Sequence, residues 1–159
     1  MELAQELAPL ITAGGVVLAT WQLWLKRSLA QSSFEDGLAK EYRDLIRLIP
    51  VDVLLGRPFD RDAGGREYSE LREVIFNYLD LTNEQVYLRS KGRVRRSTFS
   101  EWSVGIRSNL SRPAFTLVWN EVKQEASTVF SELQELETRD FKPVSIWWRL
   151  THRRRALKQ

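Results

Sequence analysis

From Leu7 to Leu25 the chain reads LAPLITAGGVVLATWQLWL, nineteen residues without a charge among them. Glu2 and Glu6 stand before this run, and Lys26 and Arg27 close it. As a helix rising about 1.5 Å per residue it covers roughly 28 Å, close to the hydrocarbon thickness of a bilayer. The expectation is a single membrane-spanning helix followed by a water-facing helical module.

Several residues agree with that expectation. Pro9 falls in the first turn, where its missing N–H breaks no internal hydrogen bond. Trp21 and Trp24 lie at the end that meets Lys26 and Arg27, as aromatic residues do beside basic anchors at a membrane interface. The basic flank follows the run, so the positive-inside rule places Met1 outside and the body in the cytoplasm. Ala8, Thr12, Gly15, Ala19 and Gln22 recur at spacings of four and three, one narrow stripe of small or polar residues on which membrane helices pack closely. Two plainer readings compete. A buried helix of a water-soluble core explains the apolarity, but Gly14 and Gly15 would each cost it about 1 kcal/mol. A cleaved signal peptide wants a basic leading region, and here that region is acidic.

The remainder fits one domain. All 24 basic residues and 19 of the 21 acidic ones lie beyond residue 25, a surplus of 5. That suits a neighbour of anionic headgroups and is too small to call for a nucleic-acid partner. The absence of cysteine removes disulfides, thiolate metal sites and cysteine nucleophiles. The organisation expected is an anchor over 1–27, a helical bundle over 28–142, and a basic, tryptophan-containing tail over 143–159.

Helical spacing runs through the bundle. Phe34, Leu38, Tyr42, Leu45 and Ile49 predict a helix ended by Pro50, either continuous with the anchor or broken near Ser32 and Ser33, where Ser33 and Asp36 resemble a capping box. Val51–Leu55 reads as a turn of helix and Asp60–Gly65 as a polar loop. A long helix is expected over Arg66–Ser90, ended by Gly92. Thr98 with Glu101 predicts a capping box opening a short helix that carries Phe99, Trp102, Ile106 and Leu110. Ser111 and Pro113 restart a helix expected to reach Thr138. No segment alternates at period two, so the fold class predicted is all-α, an antiparallel bundle of about four helices behind the anchor.

Candidate chemistry is sparse. Five of the eight residues Arg89–Arg96 are basic; Arg93, Arg95 and Arg96 there, with Trp147, Trp148, Arg153, Arg154 and Arg155 in the tail, are candidate membrane-interface residues. For the tail, a tryptophan pair capping the bundle, a lipid-surface segment and a contact to RNA or single-stranded DNA all stay open. Asn77, Asp80 and Glu84 share a face of the second long helix, with Asn83 and Gln85 beside it. Paired carboxylates can ligate a metal, but the Glu-x-x-His repeats of di-metal bundles are missing, so a structural polar network with Arg43, Arg47 or Arg107 is expected. One histidine, His152, lies among arginines that disfavour a bound cation. No cofactor, metal site or catalytic constellation is expected.

YLDLTNEQVYL (Tyr78–Leu88) and EWSVGIRSNLSRPAFTLVWNEV (Glu101–Val122), behind a run ending WQLWLKR, resemble a group of small bacterial, including cyanobacterial, membrane proteins of unknown function. The resemblance implies a single-pass helical protein and carries no catalytic residue across. The function expected is that of a non-enzymatic accessory or scaffold subunit docking another membrane protein at the cytoplasmic membrane face. A homo-oligomeric pore or effector assembled through the small-residue stripe and a nucleic-acid-binding effector are the alternatives.

Overall fold

The computed structural model describes residues 2–58, 65–126 and 128–142; within the first stretch, the side chains of 2–14 and 17 are not described. Six helices form among these residues: α1 (Glu2–Arg47), α2 (Val51–Leu54), α3 (Gly65–Ser90), α4 (Arg96–Leu110), α5 (Pro113–Glu125) and α6 (Ser131–Thr138). No strand occurs among them, and the all-α class stands. The chain divides into two compact units, Met1–Asp36 and Gly37–Gln159.

Within the first unit the residues are helical through Ser32 and Ser33, so no break falls there and Ser33 with Asp36 caps nothing. Val16, Leu18, Trp21, Leu23, Trp24 and Leu29 all expose most of their surface. The Thr20 hydroxyl donates to the Val16 carbonyl at 2.8 Å, so the helix satisfies its own polar side chain one turn back. Among the described residues, no helix is long and apolar enough to cross a membrane. The uncharged run begins at Leu7, and its first half, Ala8 and Thr12 included, carries the side chains that lie outside the description.

The second unit is arranged around α3, which meets α4, α5 and α6, while α4 also meets α5. Leu71, Ile75, Tyr78, Leu79, Val86 and Leu88 are buried along it. These positions cover more than one face, as a helix surrounded by others requires. Trp119, Phe115 and Phe130 fill the space beside them, with the Phe115 ring edge-on to Tyr78 at 5.2 Å and Phe130 edge-on to Phe76 at 5.2 Å. Edge-to-face pairs of this kind add about 0.5–1.5 kcal/mol to the area they bury.

Helix ends follow recognisable chemistry. At the end of α3, Gly92 adopts φ +74°, its N–H reaches the Arg89 carbonyl, and the Arg93 N–H reaches Leu88, both at 3.0 Å. These two bonds form a Schellman motif, in which a residue in the left-handed region satisfies the last carbonyls. The same pair of bonds closes α2 at Gly56 and α6 at Asp140, where an aspartate takes the left-handed conformation (φ +56°). Pro113 occupies the first turn of α5.

Three expectations are corrected. First, Thr98 does not open α4. The helix begins at Arg96 with Arg95 in the N-cap position, which places Thr98 inside the first turn, beyond the reach of a capping role. Second, the helix expected over 113–138 is two helices. The backbone leaves helical geometry at Ala126 (φ −142°, ψ 58°), after the polar run Lys123–Glu125, and resumes at Ser131, with the buried Phe130 anchoring the link. Third, the bundle holds more than four helices, because that break and the single turn α2 each stand as separate elements. With no capping side chain of its own, α6 borrows one: the Leu133 N–H donates to Asn83 Oδ1 of α3 at 3.1 Å.

Candidate functional site

The bundle's polar interior lies where residues from α1, α3, α4 and the α4–α5 link converge. The Asn109 amide nitrogen donates to the hydroxyls of Tyr78 (3.1 Å) and Tyr42 (3.3 Å), and its carbonyl oxygen accepts a short hydrogen bond from Arg112. Asn109 thus uses both of its donors and its acceptor while buried, which is what makes a polar side chain tolerable there. Burial raises the Tyr78 hydroxyl to a pKa of about 12 from its ordinary 10, against the opposing hydrogen bond from Asn109.

Beside this node lies a cavity of roughly 300 Å³. Ala39 and Tyr42 of α1, Gln85 of α3, and Trp102, Gly105 and Ile106 of α4 line it, and Arg43 and Glu101 are exposed at its edge. Most of the lining is apolar. Gln85 is the exception, a polar side chain only 4% exposed. A Cβ built on Gly105 would meet nothing within 4 Å, so α4 keeps this side of the cavity open by lacking a side chain there.

A second polar seam joins α3 to α5. Arg72 bridges Glu121 (Nε–Oε2, 3.1 Å) and Glu125 (2.8 Å), and Tyr68 donates to the other oxygen of Glu121 at 2.7 Å. Burial opposes the Arg72 charge, but the hydrogen bond to Glu121 and the fields of both glutamates outweigh it and raise its pKa. Lys123 ties α5 to Glu137 of α6 at 3.2 Å and sits 5.1 Å from the Trp119 ring centre. These are half-exposed structural pairs worth up to about 1 kcal/mol each.

The sequence-based candidates distribute as follows. Gly15, Ala19, Gln22, Trp21, Trp24, Lys26 and Arg27 are exposed on α1, with the rings of Trp21 and Trp24 5.6 Å apart. Arg93 and Arg96 are exposed and Arg95 is half-buried. Arg89, counted in the same basic segment, is instead buried and donates to the Val94 carbonyl at 2.8 Å, closing the α3–α4 turn from inside. Asn77, Asp80 and Glu84 are exposed. Of the arginines expected to face them, Arg47 pairs with Asp44 at 3.1 Å and Arg107 with Asp140 at 3.0 Å. Trp147, Trp148, Arg153, Arg154 and Arg155 lie outside the described residues.

Among the described residues, no group of three or more His, Cys, Asp or Glu side chains could hold a metal ion. Comparison with protein-family models, curated proteins and solved structures gives no match.

Sequence spacing put Asn83 and Gln85 beside the Asn77–Glu84 stripe without separating their roles. One caps α6 and the other faces the cavity. The available signal was register: Gln85 lies seven residues after Tyr78 and falls on the same buried side.

Proposed function

We propose that this chain is a membrane-anchored, non-enzymatic accessory subunit. On this reading the uncharged run of α1 lies in lipid, and the helical module docks another membrane protein at the cytoplasmic face. One observation carries it: Val16, Leu18, Trp21, Leu23, Trp24, Leu25 and Leu29 of α1 are all uncovered. A contiguous apolar surface of that kind is stabilised by a partner solvent other than water, and Lys26 and Arg27 directly after it suit the headgroup layer. The exposed Arg93 and Arg96 give the module a basic edge compatible with anionic lipid. The resemblance to small bacterial single-pass proteins points the same way.

Because the chain has no cysteine, single substitutions report cleanly. In bacterial cells producing Glu2→Cys or Ser97→Cys, the chain should stay in the membrane pellet after alkaline carbonate. A membrane-impermeant maleimide should label residue 2 in intact cells and residue 97 only after permeabilisation. Recovery in the soluble fraction contradicts the reading. Crosslinking in native membranes should give a heteromeric band; a homo-oligomeric ladder abolished by Gly15→Leu would instead favour a self-assembled effector.

A further inference from the structure

We infer that one face of α1 binds a single anionic phospholipid of the adjacent leaflet, its acyl chain along Val16, Thr20, Trp21 and Trp24 and its phosphate on Arg27. The inference rests on the membrane reading of α1 and deepens it, from bulk lipid to one bound molecule. Val16, Thr20, Trp21 and Trp24 line an open groove of roughly 480 Å³. The two indoles form its wall, 5.6 Å apart and tilted 35° to each other. The Thr20 hydroxyl is already bonded to the Val16 carbonyl, so the groove presents hydrocarbon and aromatic surface to its occupant.

Helix geometry adds the head group. At about 100° per residue, Val16, Thr20, Trp24 and Arg27 fall within an arc of roughly 80°, whereas Lys26 falls on the other side of the helix. From Val16 to Arg27 the helix rises about 17 Å, close to half of a hydrocarbon core roughly 30 Å thick, which is the depth of one leaflet. An exposed guanidinium at that level holds a phosphate through two parallel N–H···O bonds. Between Glu6 and Glu35 the sequence has no acidic residue, so the field of Lys26 and Arg27 favours a lipid of net negative charge over a zwitterionic one. A second helix fits this face less well. Membrane helices approach closely over small residues, and protruding indoles hold a neighbouring backbone away. Gly15 and Ala19 lie on the opposite side of α1 from the groove.

The test is photocrosslinking of the full chain in lipid nanodiscs, with a diazirine in the acyl chain of either phosphatidylglycerol or phosphatidylcholine and the adducts mapped by mass spectrometry. Phosphatidylglycerol adducts should concentrate on Val16, Thr20, Trp21 and Trp24, and unlabelled phosphatidylglycerol, but not phosphatidylcholine, should displace them. Arg27→Gln should lower their yield about tenfold. Lys26→Gln removes the same charge from the other side of the helix and should leave the yield nearly unchanged. Equal losses in these two variants, or equal labelling by the two lipids, would leave only bulk attraction and overturn the inference. Adducts spread evenly around α1 overturn it as well. Each of these results is obtained with the chain embedded in lipid, whereas failure of the membrane reading appears as chain in the soluble fraction after carbonate, so the two fail distinguishably.

Discussion

Trp21 and Trp119 are the same side chain in opposite surroundings. Trp21 is 59% exposed on α1, whereas Trp119 is 2% exposed, its ring 6.3 Å from that of Phe130. Core residues of the second unit such as Phe115, Tyr78 and Trp119 close on one another, whereas the described large apolar side chains of the first unit from Leu18 to Leu29 are exposed. Hydrophobic burial in water therefore accounts for the fold of the module alone. For the exposed run of α1 we propose lipid as the stabilising environment, which its flanking charges and its tryptophans suit.

The contrast can be broken most forcefully at the core. Phe115→Ala removes a fully buried ring packed edge-on to Tyr78 and should destabilise the module by about 3–5 kcal/mol in denaturant unfolding. Trp21→Ala, although it deletes a larger side chain, should alter the same unfolding transition by less than about 0.5 kcal/mol. Equal effects would mean that the Trp21 stretch of α1 is packed as part of a folded core.

Alkaline pH sharpens the contrast next. The Tyr78 pKa is raised by burial from 10.0 to about 12, so the folded state keeps its proton where the unfolded state has lost it. The contribution is intact below pH 10 and is lost as pH rises from 10 through about 12, by roughly 2–3 kcal/mol in total. Unfolding followed across this window should show the decline in the native chain. Tyr78→Phe should flatten that part of it; an unchanged slope would place the burial elsewhere.

Two smaller effects probe the polar seams. Asn109→Leu strips the hydroxyls of Tyr42 and Tyr78 of their shared donor and should cost about 1–3 kcal/mol. Asn83→Ala removes the borrowed cap of α6 and should cost about 1 kcal/mol, visible as increased amide hydrogen exchange confined to residues 131–138.

Local chemistry made much of this fold legible. Gly92 could be read as the stop of α3, and Pro113 as the start of α5, because each acts through its own backbone restriction. The break at Ala126 was hidden because Val122, Val129, Phe130 and Leu133 keep helical spacing across it. The cap that makes a second helix possible comes from Asn83, about fifty residues earlier in the chain. Thr98 and Glu101 imitated a capping box, yet the α3–α4 turn held by Arg89 and Val94 starts the helix sooner. The cavity was least legible of all. Gln85 sits in a polar stretch of α3, and its burial depends on where α1 and α4 place Tyr42 and Trp102, which spacing alone does not encode.

The membrane assignment of α1 is tested most directly by a spin label at Leu18→Cys in the full chain, reconstituted in lipid nanodiscs and measured by power-saturation electron paramagnetic resonance. A label at this exposed position should collide readily with oxygen and hardly at all with a water-soluble nickel chelate, as a side chain in hydrocarbon does. Free access of the nickel chelate, with the chain eluting apart from the discs, would show that water or protein surrounds this helix and would overturn the assignment.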